Sequence, residues 1–494
     1  MEFCSTRDKK LNVSAAVAIL SGLAPDGGLF VPTSLLSFSL AEVTAMSEMD
    51  YRACALTVLQ KFLPGFSADE LSSYIQKAYG DNFDTADPAP LHDLGDNLYT
   101  LELFHGPTCA FKDFALQMLP HLLASAAKKC ATNKKIAILT ATSGDTGKAA
   151  MEGYANVPGT CICVFYPNGG TSEIQRLQMA TQKGDNVNVL AVRGNFDDTQ
   201  NGVKEIFSDK ALEEEFSRKG ILLSSANSIN WGRLAPQIVY YYYTYSRLLN
   251  NKAIQPGEPV NFCVPTGNFG DILAGYYAKK SGLPINKLIC ASNKNNILTD
   301  FINTGVYDKN RPFYRTDSPS MDILISSNLE RLLFMLCNDN VKVNGFMDQL
   351  KVTGRYEIGK ELLAKLHNEG FCAYYSVENA TESCIAEIWN EKSYLCDTHT
   401  AVGLNAYRQY RTTQGDRTTT AVLSTASPFK FAPAILRALG QTPPKSGFGA
   451  VDTLEQFTGL SAPKRLKEIR ELPVRFDQTI SRSEMKQKVI DWLK

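Results

Sequence analysis

Three stretches of the chain repeat one order of apolar and polar positions. Each has a short apolar run suited to a strand, then a loop of small polar residues, then a segment dense in helix formers. They are KKIAILTATSGDTGKAAMEGYA (134–155), PVNFCVPTGNFGDILAGYYAKKSGLP (259–284) and TTAVLSTASPFKFAPAILRALG (419–440). Strands alternating with helices at this spacing predict a mainly parallel, doubly wound α/β sheet, with ligands bound beyond the carboxyl ends of the strands, where these loops lie. Further strands are predicted at LYTLELF, CICVFYP, VNVLAVRG, GILLSS and KLICASN, and long helices over 113–129, 229–250 and 328–351.

The first 95 residues follow another pattern, a Pro/Gly turn region and then helices, closing at the acidic, proline-bearing DTADPAPLHDL. The predicted organisation is therefore a mainly helical N-terminal extension over 1–95 and an α/β core over 96–494. Within the core a smaller α/β domain is expected at about 134–225 and a larger one from the remainder. Tyr240 to Tyr243 and Tyr245 run around every side of one predicted helix, so most must pack into a core with their hydroxyls at its edge.

Composition narrows the partners. The 494 residues carry 51 acidic and 51 basic side chains, which gives no electrostatic case for nucleic acid or an anionic membrane and points to a small molecule. None of the 12 cysteines forms a C-x-x-C pair and most lie in apolar runs, as expected of buried thiols in a reducing cytoplasm, without disulfides or zinc. The run after Lys9 and Lys10 resembles a secretory signal in outline, but Glu2 and Asp8 precede it and Ser21-Gly22 interrupts it. No run approaches the ~18 apolar residues of a membrane span. The five histidines form no cluster with metal-ligand spacing, so no metal is expected and His399 is read as structural.

Three local features carry chemistry. In PTGNFGD the spacing of Gly267 and Gly270 lets the backbone present amides at a helix start, which suits a phosphate and equally suits a plain strand-to-helix turn. In SGDTG, residues 143–147, hydroxyls and amides at a helix start suit a carboxylate, or serve as an N-cap cluster. Lys112 lies between Phe111 and Phe114 at the mouth of an apolar helix, where desolvation lowers the pKa of an amine and frees it for a Schiff base. A phosphate cradle, a carboxylate cradle and a desolvated lysine together are what pyridoxal phosphate chemistry on an amino acid requires.

Seven motifs in order, GLAPDGGLFVP, HGPTCAFKDFALQ, TATSGDTGKAA, NSINWGRLAPQ, VPTGNFGDILAGYYAKKSGLP, DTHTAVG and LSTASPFKF, resemble those of the threonine synthase family in its longer bacterial and fungal form, from about residue 5 to about residue 440. The resemblance implies the tryptophan-synthase-β-like pyridoxal-phosphate fold (fold type II), with two α/β domains around pyridoxal 5'-phosphate and an N-terminal extension. It implies conversion of O-phospho-L-homoserine and water to L-threonine and phosphate by β,γ-elimination and replacement, the last step of threonine biosynthesis. By motif, Lys112 becomes the Schiff-base lysine and general acid/base. The amides of Gly267, Asn268, Phe269, Gly270 and Asp271 take the cofactor phosphate, and Thr425 takes the pyridine nitrogen. Asp145 stands where related enzymes have an asparagine on the ring hydroxyl. Ser143, Gly144 and Thr146 take the substrate carboxylate, and Asn230 and Arg233 take its phosphate.

The last motif departs from the family's usual STAHPAKF, with Ser427 for the histidine and Phe429 for the alanine, which alters the cavity beside the ring. Two rivals follow. One is a threonine-synthase-like phospho-lyase that releases 2-oxobutyrate. The other is a non-catalytic protein that binds the cofactor or a phosphorylated metabolite.

Overall fold

The apolar runs assemble into two separate parallel sheets in the computed structural model, which describes residues 2–142 and 144–494. The larger sheet runs, across its strands, Phe371–Tyr375, Ile285–Ser292, Val260–Pro265, Thr420–Ser424, Leu98–Glu102 and Leu91–Gly95. All neighbours in it are parallel except the last pair. The smaller runs Thr479–Ile480, Val187–Val192, Thr160–Pro167, Lys135–Ala141 and Ile221–Ser224, parallel throughout. Strands buried on both faces, such as Thr160–Pro167 and Val260–Pro265, have the near-continuous apolar composition that helices on both sides demand.

Two expected boundaries move. Leu91–Gly95 joins the larger sheet as the antiparallel partner of Leu98–Glu102, because Asp96 and Asn97 both take the positive φ (55° and 60°) of a tight hairpin turn. The extension therefore ends before Leu91. The C-terminal residues also leave the larger domain: Ile480, Met485 and Val489 bury themselves in the core of the smaller sheet, and Arg475 donates to Gln182 O at 2.7 Å.

Two expected helices divide. The stretch over 113–129 becomes Lys112–Leu116 and Leu119–Lys129, the second opening with Pro120 in its first turn, where a missing N–H costs nothing. The stretch over 328–351 breaks at Asn338 (φ 50°), after which Asp339 caps Asn340–Thr353 through the amide of Val341 at 2.9 Å.

The extension contains the helices Ala15–Ser21, Leu40–Ala45, Tyr51–Phe62 and Ala68–Ala78, together with the short antiparallel pair Phe3–Ser5 and Phe30–Pro32. It packs on the buried helix Trp231–Asn250. Trp231 donates its indole N–H to Phe62 O at 3.1 Å and meets the Phe3 ring edge-on at 5.2 Å; truncating such a residue costs about 3–5 kcal/mol. The tyrosine run lies in the core as expected, and three of its hydroxyls are satisfied in the interior rather than at its edge: Tyr242 donates to Ser281 O (3.0 Å), and Tyr240 and Tyr241 both reach Asp271.

No helix among the described residues is long and apolar enough to cross a membrane.

Candidate active site

Loops from both sheets meet at the carboxyl ends of their strands. Lys112 follows Leu98–Glu102, Gly267–Asp271 follows Val260–Pro265, and Thr425 follows Thr420–Ser424, all from the larger sheet. Asp145 follows Lys135–Ala141 of the smaller one. The backbone couples the first and third of these: Thr425 O accepts from Phe111 N at 2.9 Å and Cys109 O accepts from Ser427 N at 3.1 Å.

Lys112 is held at the start of its short helix by a clamp in the preceding loop. Asp113 accepts from the Thr108 amide (2.8 Å) and hydroxyl (2.7 Å). Burial raises the Asp113 carboxyl to about 6 against those hydrogen bonds. The Lys112 ammonium lies 4.7 Å from the centre of the Phe111 ring, 3.3 Å from Ser320 Oγ and 3.8 Å from Asp145 Oδ2. Burial lowers its pKa; Asp145 opposes that, and the nearby charges of Lys430 and Arg233 reinforce it.

Asp145 is the electrostatic centre. Its Oδ1 accepts from Lys430 Nζ at 2.7 Å and from Gln175 Nε2 at 2.9 Å, and its Oδ2 accepts from Ser320 Oγ at 3.3 Å. Burial alone would raise its pKa, but Lys430 and Lys112 hold the carboxyl well below the usual carboxylate range. It is thus an anion between two lysines. Lys430 is fully buried, with its other donor bond to Thr108 O at 3.0 Å. Gly144 takes φ 141°, and a Cβ there would stand 2.6 Å from the Gln175 side chain, so only glycine lets Gln175 reach Asp145. Thr142 Oγ1 accepts from the amides of Gly144 (3.0 Å) and Gly147 (2.9 Å), whereas the amides of Asp145 and Thr146 have no acceptor among the described residues. Ser143 lies outside the described residues.

The Gly267–Asp271 loop is shaped for an anion. Phe269 takes a left-handed conformation (φ 63°) just before the helix Gly270–Lys280. Among the described residues the amides of Gly267, Asn268, Phe269, Gly270 and Asp271 donate to no protein acceptor. Five consecutive free amides at a helix N-terminus are a donor set for a phosphate. The carbonyls of this loop, by contrast, are tied down. Gly267 O accepts from Ser326 Oγ (2.7 Å), and Asn268 O accepts from the Asn328 amide and side chain (3.1 Å each). Asn328 Oδ1 in turn accepts from Arg331, whose Nε donates to Phe30 O of the extension at 2.9 Å. The extension therefore braces the loop. The Asp271 side chain accepts from Tyr240 (2.6 Å) and Tyr241 (2.9 Å), and burial raises it to about 6.

Arg233 and Asn230 open the buried helix. Arg233 is 3% exposed, and its Nη1 donates to Ala226 O at 2.6 Å. Its Nε has no partner and, among the described residues, it pairs with no carboxylate. Burial lowers its pKa to about 10. Asn230 caps the helix through the Gly232 amide (2.8 Å) and donates to Ile19 O (2.9 Å), so both ends of its amide are engaged in folding. Thr425 is buried, and Ser427 Oγ is buried without a partner among the described residues.

Three further residues belong here. Lys430 lay in plain view in LSTASPFKF, since a lysine in so apolar a setting needs a buried anion. Ser320 and Gln175 carry no such signal. His399 is buried as a structural histidine would be, but its Nε2 accepts from the Ser320 amide at 3.1 Å.

Comparison with known proteins agrees along the chain. Residues 2–79 match the family model described as threonine synthase N terminus, residues 86–425 the pyridoxal-phosphate dependent enzyme model, and residues 400–490 threonine synthase, C-terminal. Threonine synthase of Pseudomonas aeruginosa is 41% identical over 449 residues, 90% of this chain and 92% of that one. Human threonine synthase-like 1 is 39% identical over 457 residues, and the match covers 88% of this chain but 60% of that longer one. The crystal structure of pyridoxal-phosphate-bound threonine synthase from Brucella melitensis superposes with a TM-score of 0.89 at 35% identity, covering all of both chains.

Proposed function

The chain belongs to the threonine synthase family of pyridoxal-phosphate-dependent enzymes, and from that we propose that it converts O-phospho-L-homoserine and water to L-threonine and phosphate. The observation that carries the substrate is Arg233, a buried guanidinium with no carboxylate partner among the described residues and an unsatisfied Nε. Leaving it so would cost several kcal/mol unless an anion binds, and the planar fork matches a phosphate.

The remaining groups divide the work. Lys112 would hold the cofactor, the five amides from Gly267 to Asp271 its phosphate, and the Thr425 hydroxyl its ring nitrogen. When bound, pyridoxal phosphate supplies an electron-accepting ring that acidifies the Cα and Cβ protons of an amino acid. Lys112, its pKa lowered by burial, would take and return protons at its Nζ. Gly144 and Thr146, with Ser143, would hold the substrate carboxylate. Arg233 would hold the leaving phosphate and stabilise its charge. Asn230 supports Arg233 from the helix cap. Asp145, held ionised by Lys430, would accept from the ring hydroxyl, the role the asparagine of related enzymes fills.

One observation favours a second reading. Ser427 places a buried hydroxyl, without a partner among the described residues, where the family's histidine stands, and the altered cavity keeps a phospho-lyase that releases 2-oxobutyrate as the alternative. A single NMR time course of the purified protein with pyridoxal phosphate and O-phospho-L-homoserine separates the two. Threonine rising with phosphate supports the synthase, 2-oxobutyrate rising with phosphate replaces it by the lyase, and unchanged substrate refutes both. The cytoplasm is the compartment we assign on the pattern of cysteines.

A further inference from the structure

Ser320 lies in the one-turn helix Pro319–Met321, far in sequence from every motif named above, and three of its groups face three parts of the site. Its hydroxyl accepts from Lys112 Nζ and donates to Asp145 Oδ2, each at 3.3 Å. Its carbonyl lies over the phosphate loop, 2.7 Å from where a Cβ on Gly267 would stand. Its amide donates to His399 Nε2 at 3.1 Å. The acceptor at Nε2 fixes the tautomer of that ring: the proton is on Nδ1 and goes to Asp397 Oδ1 at 2.7 Å. Asp397 is itself fixed at the cap of Thr398–Gln414 by the amides of His399 (2.9 Å) and Thr400 (3.3 Å). Thr398 Oγ1 ties the same strap down through Asp317 O at 2.6 Å.

The spacing defines what this arrangement does. Lys112 and Asp145 are 3.8 Å apart, beyond hydrogen-bond contact, and Ser320 Oγ bridges them. Without the bridge the flexible lysine would close onto the carboxylate and be held there as an ammonium, turned away from any substrate. We propose that Ser320 is a positioning residue that holds the Lys112 amine out of direct hydrogen-bond contact with Asp145, so that it can act as a proton acceptor, and that Asp397 and His399 hold Ser320 in that place. The inference rests on the reading of Lys112 as the reacting amine.

Two measurements test it. The first is the pH dependence of Lys112 acylation in the full-length, cofactor-free chain, followed by peptide mass spectrometry. The charged groups facing the amine are Asp145, Lys430, Arg233, Asp113 and Asp271, and none of them is altered by the variants. In Ser320→Ala the labelling midpoint rises by about 1 pH, the Coulomb gain of closing from 3.8 Å to contact at an effective dielectric of ~20. The second is kcat and KM of the cofactor-loaded enzyme: kcat falls about 10- to 100-fold, within the range that positioned proton transfer contributes, while KM changes less than about threefold. His399→Leu shifts the midpoint in the same direction, and His399→Gln, whose Oε1 can accept from the Ser320 amide, restores it, as does Ser320→Thr. A midpoint in Ser320→Ala that stays or falls overturns the proposal, as does His399→Gln behaving like His399→Leu. Should the unsubstituted enzyme fail to turn over O-phospho-L-homoserine, the proposed reaction falls while the labelling still decides the bridge.

Discussion

Replacing Lys430 by methionine removes a buried cation and leaves its anion in place. Asp145 Oδ1 is 2.7 Å from Lys430 and Oδ2 is 3.8 Å from Lys112, which at an effective dielectric of ~20 correspond to attractions of about 6 and about 4 kcal/mol. Dropping the desolvation cost of Lys430 offsets part of the stronger attraction, so the net destabilisation expected is about 3–5 kcal/mol, read as ΔG from urea unfolding at pH 7. A second consequence is chemical. The Lys430 charge helps to lower the pKa of Lys112, so without it the amine titrates higher and the kcat profile moves to higher pH. Adding Asp145→Asn to Lys430→Met removes the orphaned charge, so the double variant recovers most of the lost stability but not the activity. Lys430→Met within about 1 kcal/mol of the parent, or a double variant no more stable than the single one, would refute the reasoning.

Three other outcomes follow from the geometry. Arg233→Lys replaces a planar fork by a point charge, so KM for O-phospho-L-homoserine rises about 10- to 100-fold in steady-state kinetics, equivalent to about 1.4–3 kcal/mol; an unchanged KM would remove Arg233 from the substrate phosphate. Gly267→Ala sets a Cβ 2.7 Å from Ser320 O, so cofactor affinity, titrated by absorbance, weakens at least about tenfold while the thermal midpoint of the cofactor-free chain falls by only a few degrees. His105 lies between Asp84 (2.8 Å) and Glu102 (2.9 Å); burial lowers its pKa, but the hydrogen bonds to those carboxylates carry it up to about 9. Because the folded value exceeds the unfolded 6.5, its contribution is complete below pH 6.5 and disappears as pH rises through 9. His105→Gln should therefore lose about 1–3 kcal/mol at pH 6 and have a flatter stability profile between pH 6.5 and 9.

The site was legible where local chemistry repeats a motif. The loop at Gly267–Asp271 could be read as a phosphate cradle because free amides at a helix start are a property of a short segment, and those amides have no protein acceptor among the described residues. Asn230 read as a ligand because capping residues and binding residues are the same types; its engagement with Ile19 O appears only when the extension is docked. Asp145 was harder still. From sequence its charge had no counter-ion, and the lysine that supplies one lies 285 residues away.

Periodicity and local composition, read within about 25 residues, already set the alternation of strands and helices, the polar loops at the strand ends and the placement of Lys112 among aromatics. Tertiary structure decided the rest. It joined the hairpin Leu91–Glu102 to the larger sheet and the last residues to the smaller one. It also brought Ser320, His399, Lys430 and Gln175 around two side chains that carry the motifs. The physical reason is range. Backbone propensity and amphipathic period act between neighbours in the chain, whereas the ionisation of Asp145 and the lowered pKa of Lys112 depend on burial and on charges that only folding brings within about 4 Å.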